Sequence, residues 1–505
     1  MYLNLTILNI GMNKLVVNHL EKLFVTSDAA TIVEELEVVH PAARMLTKAA
    51  QMQVQEVGDG SNFVVTFAGE LLAQAEELLR IGVHPSEIVE GYKKASEKTF
   101  ALFESLSTTS VENPRDKASL VKALIPVLAA KQFGYEEMLS NLVADAVLSV
   151  MPPAPKKPSV TVDNVRVAKL VGGTIQDSQI IRGVVVHRDA EGSIKHVEKA
   201  KVAVFGCSIE ASSTETKGTV VIKNADELKA YNKGEEKAME DAIKGIADSG
   251  AKVVVAGGSI SEIAMHFIEK YGMLAVKIPS KFELRRLCKA VNATAQVRVG
   301  APIPGDLGYA DVVSVQELSS RLVTVFRQDD EDSGIATIVL RGATMNLLDD
   351  MERAIDDAVN TCRILCKDGR LIPGGGAADM EVAHRLSRIA AETTGLEQYA
   401  ISKFAEALEV VPRTLAENSG QIERDIITAL YVAHAAGKVN EGVDIDGNGT
   451  KDVVKAGIVD SLAVKLSALR LACETAITVL RVDQIIMSKQ AGGPKPKQPG
   501  APDDD

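Results

Sequence analysis

The order of hydrophobic periodicities along the chain limits its architecture more than any single motif does. From Asn13 to Val150 apolar residues recur at helical spacing, as in VVNHLEKLF, AGELLAQAEELL and SNLVADAVLSV, which predicts a layer of amphipathic helices. Met151 to Ser159, MPPAPKKPS, cannot continue a helix and marks a boundary. Strand-like runs then alternate with helices: KVAVF, a charged helix from Asp226 to Ala247, KVVVAGG, ISEIAMHFIEKYG, LAVKIP and FELRRLCKAV. That alternation predicts parallel strands joined by crossover helices. After the strands RLVTVFRQ and ATIVLRG, a helix from Met345 to Cys366 runs into Gly374-Gly375-Gly376, and nearly everything from Ala377 to Met487 reads as helical again. A chain of 505 residues is long enough for about three domains. Helical flanks around an α/β centre predict one domain made from both chain ends with the middle inserted. The terminal AGGPKPKQPGAPDDD is low-complexity and predicts disorder.

Charge and composition narrow the partners. With 56 basic and 68 acidic side chains the net charge is -12, which opposes broad contact with nucleic acid or anionic membranes. Aromatic residues are 4% with no Trp, so base-stacking platforms are not expected. No run of about 18 uncharged apolar residues offers a membrane span. The five cysteines are odd in number and scattered, as expected of reduced thiols in the cytosol. Cys362 and Cys366 lie four apart in a predicted helix, but no second Cys or His pair completes a zinc site. The chain has no His-Glu-x-x-His, no Gly-x-Ser-x-Gly and no Walker loop.

Two glycine-rich segments could approach a phosphate. Gly58-Asp59-Gly60-Ser61-Asn62 stands before a helical stretch, where backbone amides and a helix N-terminus suit an anion and Asp59 could hold Mg2+; a plain helix cap has the same pattern. Gly374 to Gly376 suggests a close approach of chain or ligand, or a hinge. Asp444 to Gly449 imitates the opening of a calcium loop, but Lys455 stands where the bidentate Glu is needed, so a surface turn is expected. Asp28, Asp357 and Asp460 each sit at a helix start or on a helix, and their meaning depends on whether the fold gathers them.

Taken in order, these motifs resemble the group II chaperonins, whose eukaryotic cytosolic form is a hetero-oligomer. The matching pieces run from GMNKLVVNHLEKLFVTSDAATIVEELEVVHPAARM and QEVGDGSNFVVTFAGELL through STETKGTVVIK, TIVLRGATMNLLDDMERAIDDAVN and LIPGGGA to LEQYAISKFAEALEVVPRTLAENSG and TVLRVDQIIM. They cover nearly the whole chain from Gly11 to Met487, and DAATI and SSTETKGTV carry the look of one subunit type. The resemblance implies an α/β multidomain chaperonin fold: a mainly helical equatorial domain at 1–111 and 374–490, a small intermediate domain at 112–180 and 332–373, and an inserted α/β apical domain at 181–331. A helical lid protrusion falls at Ala211 to Glu240, and a disordered tail at 491–505.

The same resemblance supplies the roles. Asp59 would be the Mg2+ ligand, with Gly58, Gly60, Ser61, Asn62 and Phe63 in the phosphate loop. Gly11 and Met12 remain from a first loop whose family form is Gly-Pro-x-Gly-Met. Asp28 would stand near the γ-phosphate and its attacking water, and Asp357 would swing in to polarise that water. Lys131, preceded by Ala130 where a hydroxyl is common, would sense the γ-phosphate. Gly374, Gly375 and Gly376 would lie beneath the nucleotide, Asp460 would hold the ribose, and Lys465 would lie near the same pocket. The implied function is a subunit of a cytosolic double-ring chaperonin that binds and hydrolyses Mg-ATP, cycling through ADP, to fold proteins such as actin and tubulin. Its partners would be other ring subunits and unfolded polypeptides. A subunit that binds nucleotide but hydrolyses slowly is the alternative, and a three-domain metabolic enzyme is the rival of another class.

Overall fold

The computed structural model describes residues 13–210, 225–318, 321–328, 334–447 and 449–486, and all side chains in them except those of 225–233 and 235. Gly11 and Met12, residues 211–224 of the expected lid and the tail at 491–505 lie outside the described residues.

The chain opens with a correction to the helical reading of VVNHLEKLF, because β1 (Lys14–Val17) and β2 (Leu23–Thr26) form an antiparallel hairpin with Lys14 opposite Thr26. Asn18 makes the turn: its Oδ1 accepts from the backbone N–H of Leu20 at 2.9 Å and of Lys22 at 3.0 Å, and Glu21 takes φ 58°. Such side-chain bonds compete with the helix ladder and favour a turn. Helices follow as expected: α1 (Ala29–Glu35), α2 (Pro41–Glu56), α3 (Ser61–Ile81) and α4 (Pro85–Ser105). Then come β3 (Thr109–Ser110), α5 (Lys117–Ala129) and α6 (Glu136–Val150). Beyond α6 the proline-rich stretch is pinned by Arg115, whose Nη2 donates to the carbonyls of Pro152 at 3.0 Å and Lys156 at 2.5 Å.

The middle of the chain builds one eight-stranded sheet. Its elements are β4 (Val165–Val171), β5 (Gln179–Val186), β6 (His196–Phe205), α7 (Ala225–Asp248), β7 (Ala251–Ala256), α8 (Glu262–Lys270), β8 (Leu274–Lys277), α9 (Lys281–Val291), β9 (Gly308–Leu318), β10 (Arg321–Arg327) and β11 (Ala336–Gly342). The strand order is β4-β11-β5-β10-β9-β6-β7-β8. β6, β7 and β8 run parallel with helices crossing between them, as the alternation predicts. The sheet as a whole is mixed, however, and an all-parallel reading is corrected. β9 and β10 are separated by only two residues, too few for a crossover, so they pair antiparallel; β10 with β5 and β5 with β11 follow suit.

The last third starts with α10 (Met345–Leu365), β12 (Arg370–Pro373), α11 (Ala377–Glu392), α12 (Glu397–Leu408), α13 (Val410–Asn418) and α14 (Glu423–Ala435). Three short strands then interrupt the continuous helical reading: β13 (Glu441–Val443), β14 (Thr450–Asp452) and β15 (Val459–Ser461), before α15 (Leu462–Leu480). β13 and β14 pair antiparallel around the segment that imitates a calcium loop. Lys451 sits 2.8 Å from Asp444 there, so a cation already faces the acidic side chain. Among the described residues no group of three His, Cys, Asp or Glu could hold a metal, and no helix is long and apolar enough to cross a membrane. All five cysteines are free thiols, with Cys362 and Cys473 buried.

Packing falls into three main cores. The first joins both chain ends: α3 and α4 bury Phe67, Leu71 and Tyr92 against Phe404 of α12 and Leu469 of α15. The Phe67 and Phe404 rings meet edge to face at 5.5 Å, and the Tyr92 hydroxyl donates to the Leu71 carbonyl at 2.9 Å, satisfying the one polar atom it buries. The second core lies among α5, α6, α10, β4 and β11, and the third covers both faces of the β6–β8 region. A small sheet ordered β15-β12-β3 stitches these parts together, with Ile372 opposite Asp460.

Candidate nucleotide-binding site

The site is built around the turn between α2 and α3. Gly58 and Gly60 take φ 93° and 83°, a left-handed backbone that L side chains rarely adopt, and Gly60 is the N-cap of α3. Gln53, fully buried on α2, fixes the turn by donating to the Asp59 carbonyl at 2.8 Å, while its own amide oxygen accepts from Ser467 of α15 at 2.9 Å. The Asp59 carboxylate accepts from the Gly60 N–H at 2.8 Å and lies 3.8 Å from the Lys131 ammonium. Ser61 and Asn62 open α3, whose N-terminal amides suit an anion.

Helix α10 closes over this turn. A Cβ on Gly58 would lie 2.4 Å from Cβ of Asn360, and Arg363 donates to the Glu56 carbonyl at 2.5 Å. One turn back, Asp357, 8% exposed, pairs directly with Lys131. Gly58→Ala is expected to lower stability by about 2 kcal/mol, through both the strained φ and the overlap with Asn360. Thermal unfolding of the full chain checks this, and an unchanged Tm would contradict the close approach.

Asp28 is the N-cap of α1, accepting from the Thr31 N–H at 3.0 Å and the Thr31 hydroxyl at 2.8 Å, with the Ser61 hydroxyl at 3.5 Å. Burial pushes its carboxyl up, but the Lys131 ammonium and the Thr31 hydrogen bonds outweigh it and hold the group ionised, below the usual carboxylate range. Lys131 thus joins Asp28, Asp59 and Asp357, three carboxylates from distant parts of the chain, in one electrostatic cluster. Ala130 only ends α5 as its C-cap.

On the other side of Asp59 a cavity of about 150 Å3 runs down between α3 and α15, bounded by Phe63, Thr361, Asp460 and Lys465. It is narrower than a usual ligand cleft of about 300 Å3 or more because Val127 of α5 and Thr361 of α10 close its flank. Asp460 sits at its edge on β15, beside Gly374, where a Cβ would come within 3.4 Å of the Asp460 carboxyl carbon. The residue is exposed, open to the cavity and to solvent, although many protein groups stand around its carboxyl. The crowding of protein around it pushes its carboxyl up, toward about 6, with Lys465 opposing the shift and Asp379 and Asp59 adding to it, and its exposure to solvent moderates the rise. Lys465 pairs with Asp379 at 2.7 Å and lies 3.7 Å over the Phe63 ring, so it is an internal cation held at the cavity wall. Gly375 and Gly376 take φ 57° and 77° and lead into α11, with Gly376 packed on Pro412.

The structure thus brings Asp28, Asp59, Lys131 and Asp357 into one charged cluster and Asp59, Gly60, Phe63, Asp460 and Lys465 around one cavity, while Gly375 and Gly376 pack on Val453 and Pro412 and do not line it. Gln53, Thr361, Asp379 and Val127 belong to the same site and were not picked out from sequence. Gln53 carried a usable signal, since it shares the buried face of α2 with Ala49 and Ala50. Thr361 carried none, because a hydroxyl on a buried helix face ordinarily bonds back to its own turn, as it does here to the Asp357 carbonyl at 2.9 Å.

A three-core body, a mixed sheet inserted between two helical parts and a cluster of carboxylates reached by a long helix define a chaperonin: the chain belongs to the TCP-1/cpn60 chaperonin family, which it matches over residues 9–490. Among its relatives, T-complex protein 1 subunit theta of Dictyostelium discoideum is 51% identical over 495 residues, covering 98% of this chain and 92% of that protein. The same subunit of Arabidopsis thaliana is 50% identical over 96% of this chain and 88% of its own. That of Homo sapiens is 49% identical over the same shares, 96% and 88%.

Proposed function

We propose that the chain is a theta-type subunit of a hetero-oligomeric cytosolic double-ring chaperonin, which binds and hydrolyses ATP to enclose and fold proteins such as actin and tubulin. The observation that carries the reading is the Asp59–Lys131–Asp357 contact, which ties the phosphate turn, the end of α5 and the closing helix α10 to one point. Asp59 would hold Mg2+, and the glycines of the turn leave its backbone open to phosphate. When bound, the metal supplies positive charge to spread the load on the phosphate oxygens. Lys131 would turn from the two carboxylates to the γ-phosphate, releasing Asp357 to orient the attacking water. Asp28, held ionised, would take part in placing the same water. Asp460 would accept from ribose hydroxyls, and Gly374 leaves room for that contact. Because Asp357 rides on α10, hydrolysis and the movement of the middle of the chain are coupled.

Electron microscopy of the native assembly tests the class: stacked rings are expected, and a monomer or dimer would overturn the reading. A second test uses pH. Between the usual carboxylate range and about 6, Asp460 keeps in the native chain a proton that it loses in the unfolded one, so this group favours folding at low pH and loses that contribution as pH rises through the window. The ionised carboxylate is the better acceptor. Nucleotide affinity is therefore expected to rise between about pH 5 and 7 and to lose that rise in Asp460→Asn, as calorimetry would read. A wild-type affinity with no dependence in that window would remove Asp460 from the ribose contact.

A further inference from the structure

We propose that Asp350 is a positioning residue that keeps the Lys131 loop attached to α10 when Lys131 leaves Asp357. The inference rests on the nucleotide reading above and extends it to a residue outside the cavity. Asp350 and Asp357 stand seven residues apart on α10, two turns along one face, and both are buried, at 5% and 8% exposure. Two consecutive residues after α5 grip them. Lys131 pairs with Asp357, and Gln132, itself buried, donates from Nε2 to Asp350 Oδ2 at 2.5 Å. The loop cannot easily part these grips, since the backbone N–H groups of both Lys131 and Gln132 are tied to the Leu128 carbonyl, at 3.0 and 2.7 Å.

The second carboxylate oxygen carries the contact further. Arg353 donates to Asp350 Oδ1 at 3.3 Å and to the Val25 carbonyl of β2 at 3.3 Å, three residues before Asp28. Asn13 approaches Asp350 Oδ2 at 3.4 Å. One buried carboxylate thereby links α10, the Lys131 loop and the strand leading to Asp28. The two grips differ in fate. Lys131 and Asp357 both have work on the nucleotide, so their pair must open during turnover. Asp350 and Gln132 have no part in the nucleotide reading, and Asp350 is further held by Arg353 and Asn13, so their bond persists and the loop keeps its register on the helix. Removing a partner also leaves the other polar group buried without its bond.

The test uses the full chain in its ring assembly, with the nucleotide sites of the other subunits silenced, and measures steady-state ATP hydrolysis for Asp350→Ala, Gln132→Ala, the double variant and Asp350→Asn. The expected result is a kcat about 10-fold lower in each alanine variant with KM within about twofold. The double variant should be no slower than either single, and Asp350→Asn, whose carboxamide oxygen still accepts from Gln132, should keep at least about half of the activity. Unchanged kcat, a rise in KM alone, or multiplicative effects in the double variant would overturn the anchor. If Asp350→Ala does not fold, Gln132→Ala and Asp350→Asn decide by the same criteria. A parent chain that binds no Mg-ATP would instead strike the nucleotide reading itself, and the anchor with it.

Discussion

Asp357→Ala is expected to slow ATP hydrolysis by this subunit about 100-fold or more while leaving Mg-ATP affinity within a few-fold. A carboxylate that orients or deprotonates water contributes in the transition state, whereas on the function proposed above the ground-state contacts would belong to the turn at Gly58 to Asn62. In the structure the Asp357 side chain pairs with Lys131, whereas the turn is held by Gln53 and by its own Asp59–Gly60 bond, so the loss of Asp357 should spare the turn's conformation. Lys131 then keeps Asp59, at 3.8 Å, and the nearby charge of Asp28, and is freer to reach phosphate, so binding should not weaken. Single-turnover hydrolysis in an assembly whose other subunits are silenced, together with calorimetric affinity, separates the two effects. An intact turnover rate would take Asp357 out of the mechanism.

Asp59→Ala should do the opposite and weaken Mg-ATP binding by about 1.5–3 kcal/mol, the scale of one lost charge-assisted contact. Its carboxylate also accepts from the Gly60 N–H at 2.8 Å, so part of the loss will come from a looser turn. Asp59→Asn separates the contributions, because the amide oxygen can still accept from Gly60 but is a poor metal ligand. The expected order of affinity is wild type, then Asn, then Ala. The gap between wild type and Asn should vanish when ATP is titrated without Mg2+. An Asn variant that binds Mg-ATP as tightly as wild type would discard Asp59 as the metal ligand.

Local pattern revealed the helices of both flanks and the β6–β8 crossover unit, because their periodicities extend over many residues. It did not reveal what depends on pairing between distant segments. β4, β5 and β9 were passed over and the sheet read as parallel, since antiparallel neighbours are chosen by connection length and by partners far away in sequence. The hairpin at Lys14 to Thr26 was hidden for a different reason: VVNHLEKLF suits a helix face, and one Asn side chain decides the turn. Among the candidate site residues, glycine-flanked Asp59 stood out from its own segment, but a plain helix cap has the same pattern and only the resemblance favoured a metal ligand. Asp28 and Asp460 acquired meaning only through family resemblance, and Gln53 and Gln132 act through hydrogen bonds that no spacing reveals.

The first core mixes Phe67 and Tyr92 with Phe404 and Leu469, and this has a consequence for the chain's own birth. At about 5–20 residues per second, the ribosome needs roughly 15–70 s after Phe67 before Phe404 is made. Throughout that interval the apolar faces of α3 and α4 lack their partners on α12 and α15, while the β6–β8 part of the inserted sheet, which has its own core, can already fold. The strand that carries Asp460 is made later still, so the cavity beside Asp59 is among the last features to close. Slow codons or a bound holding factor placed between residues 110 and 400 should therefore govern the yield of soluble chain more strongly than the same interventions within the final helices.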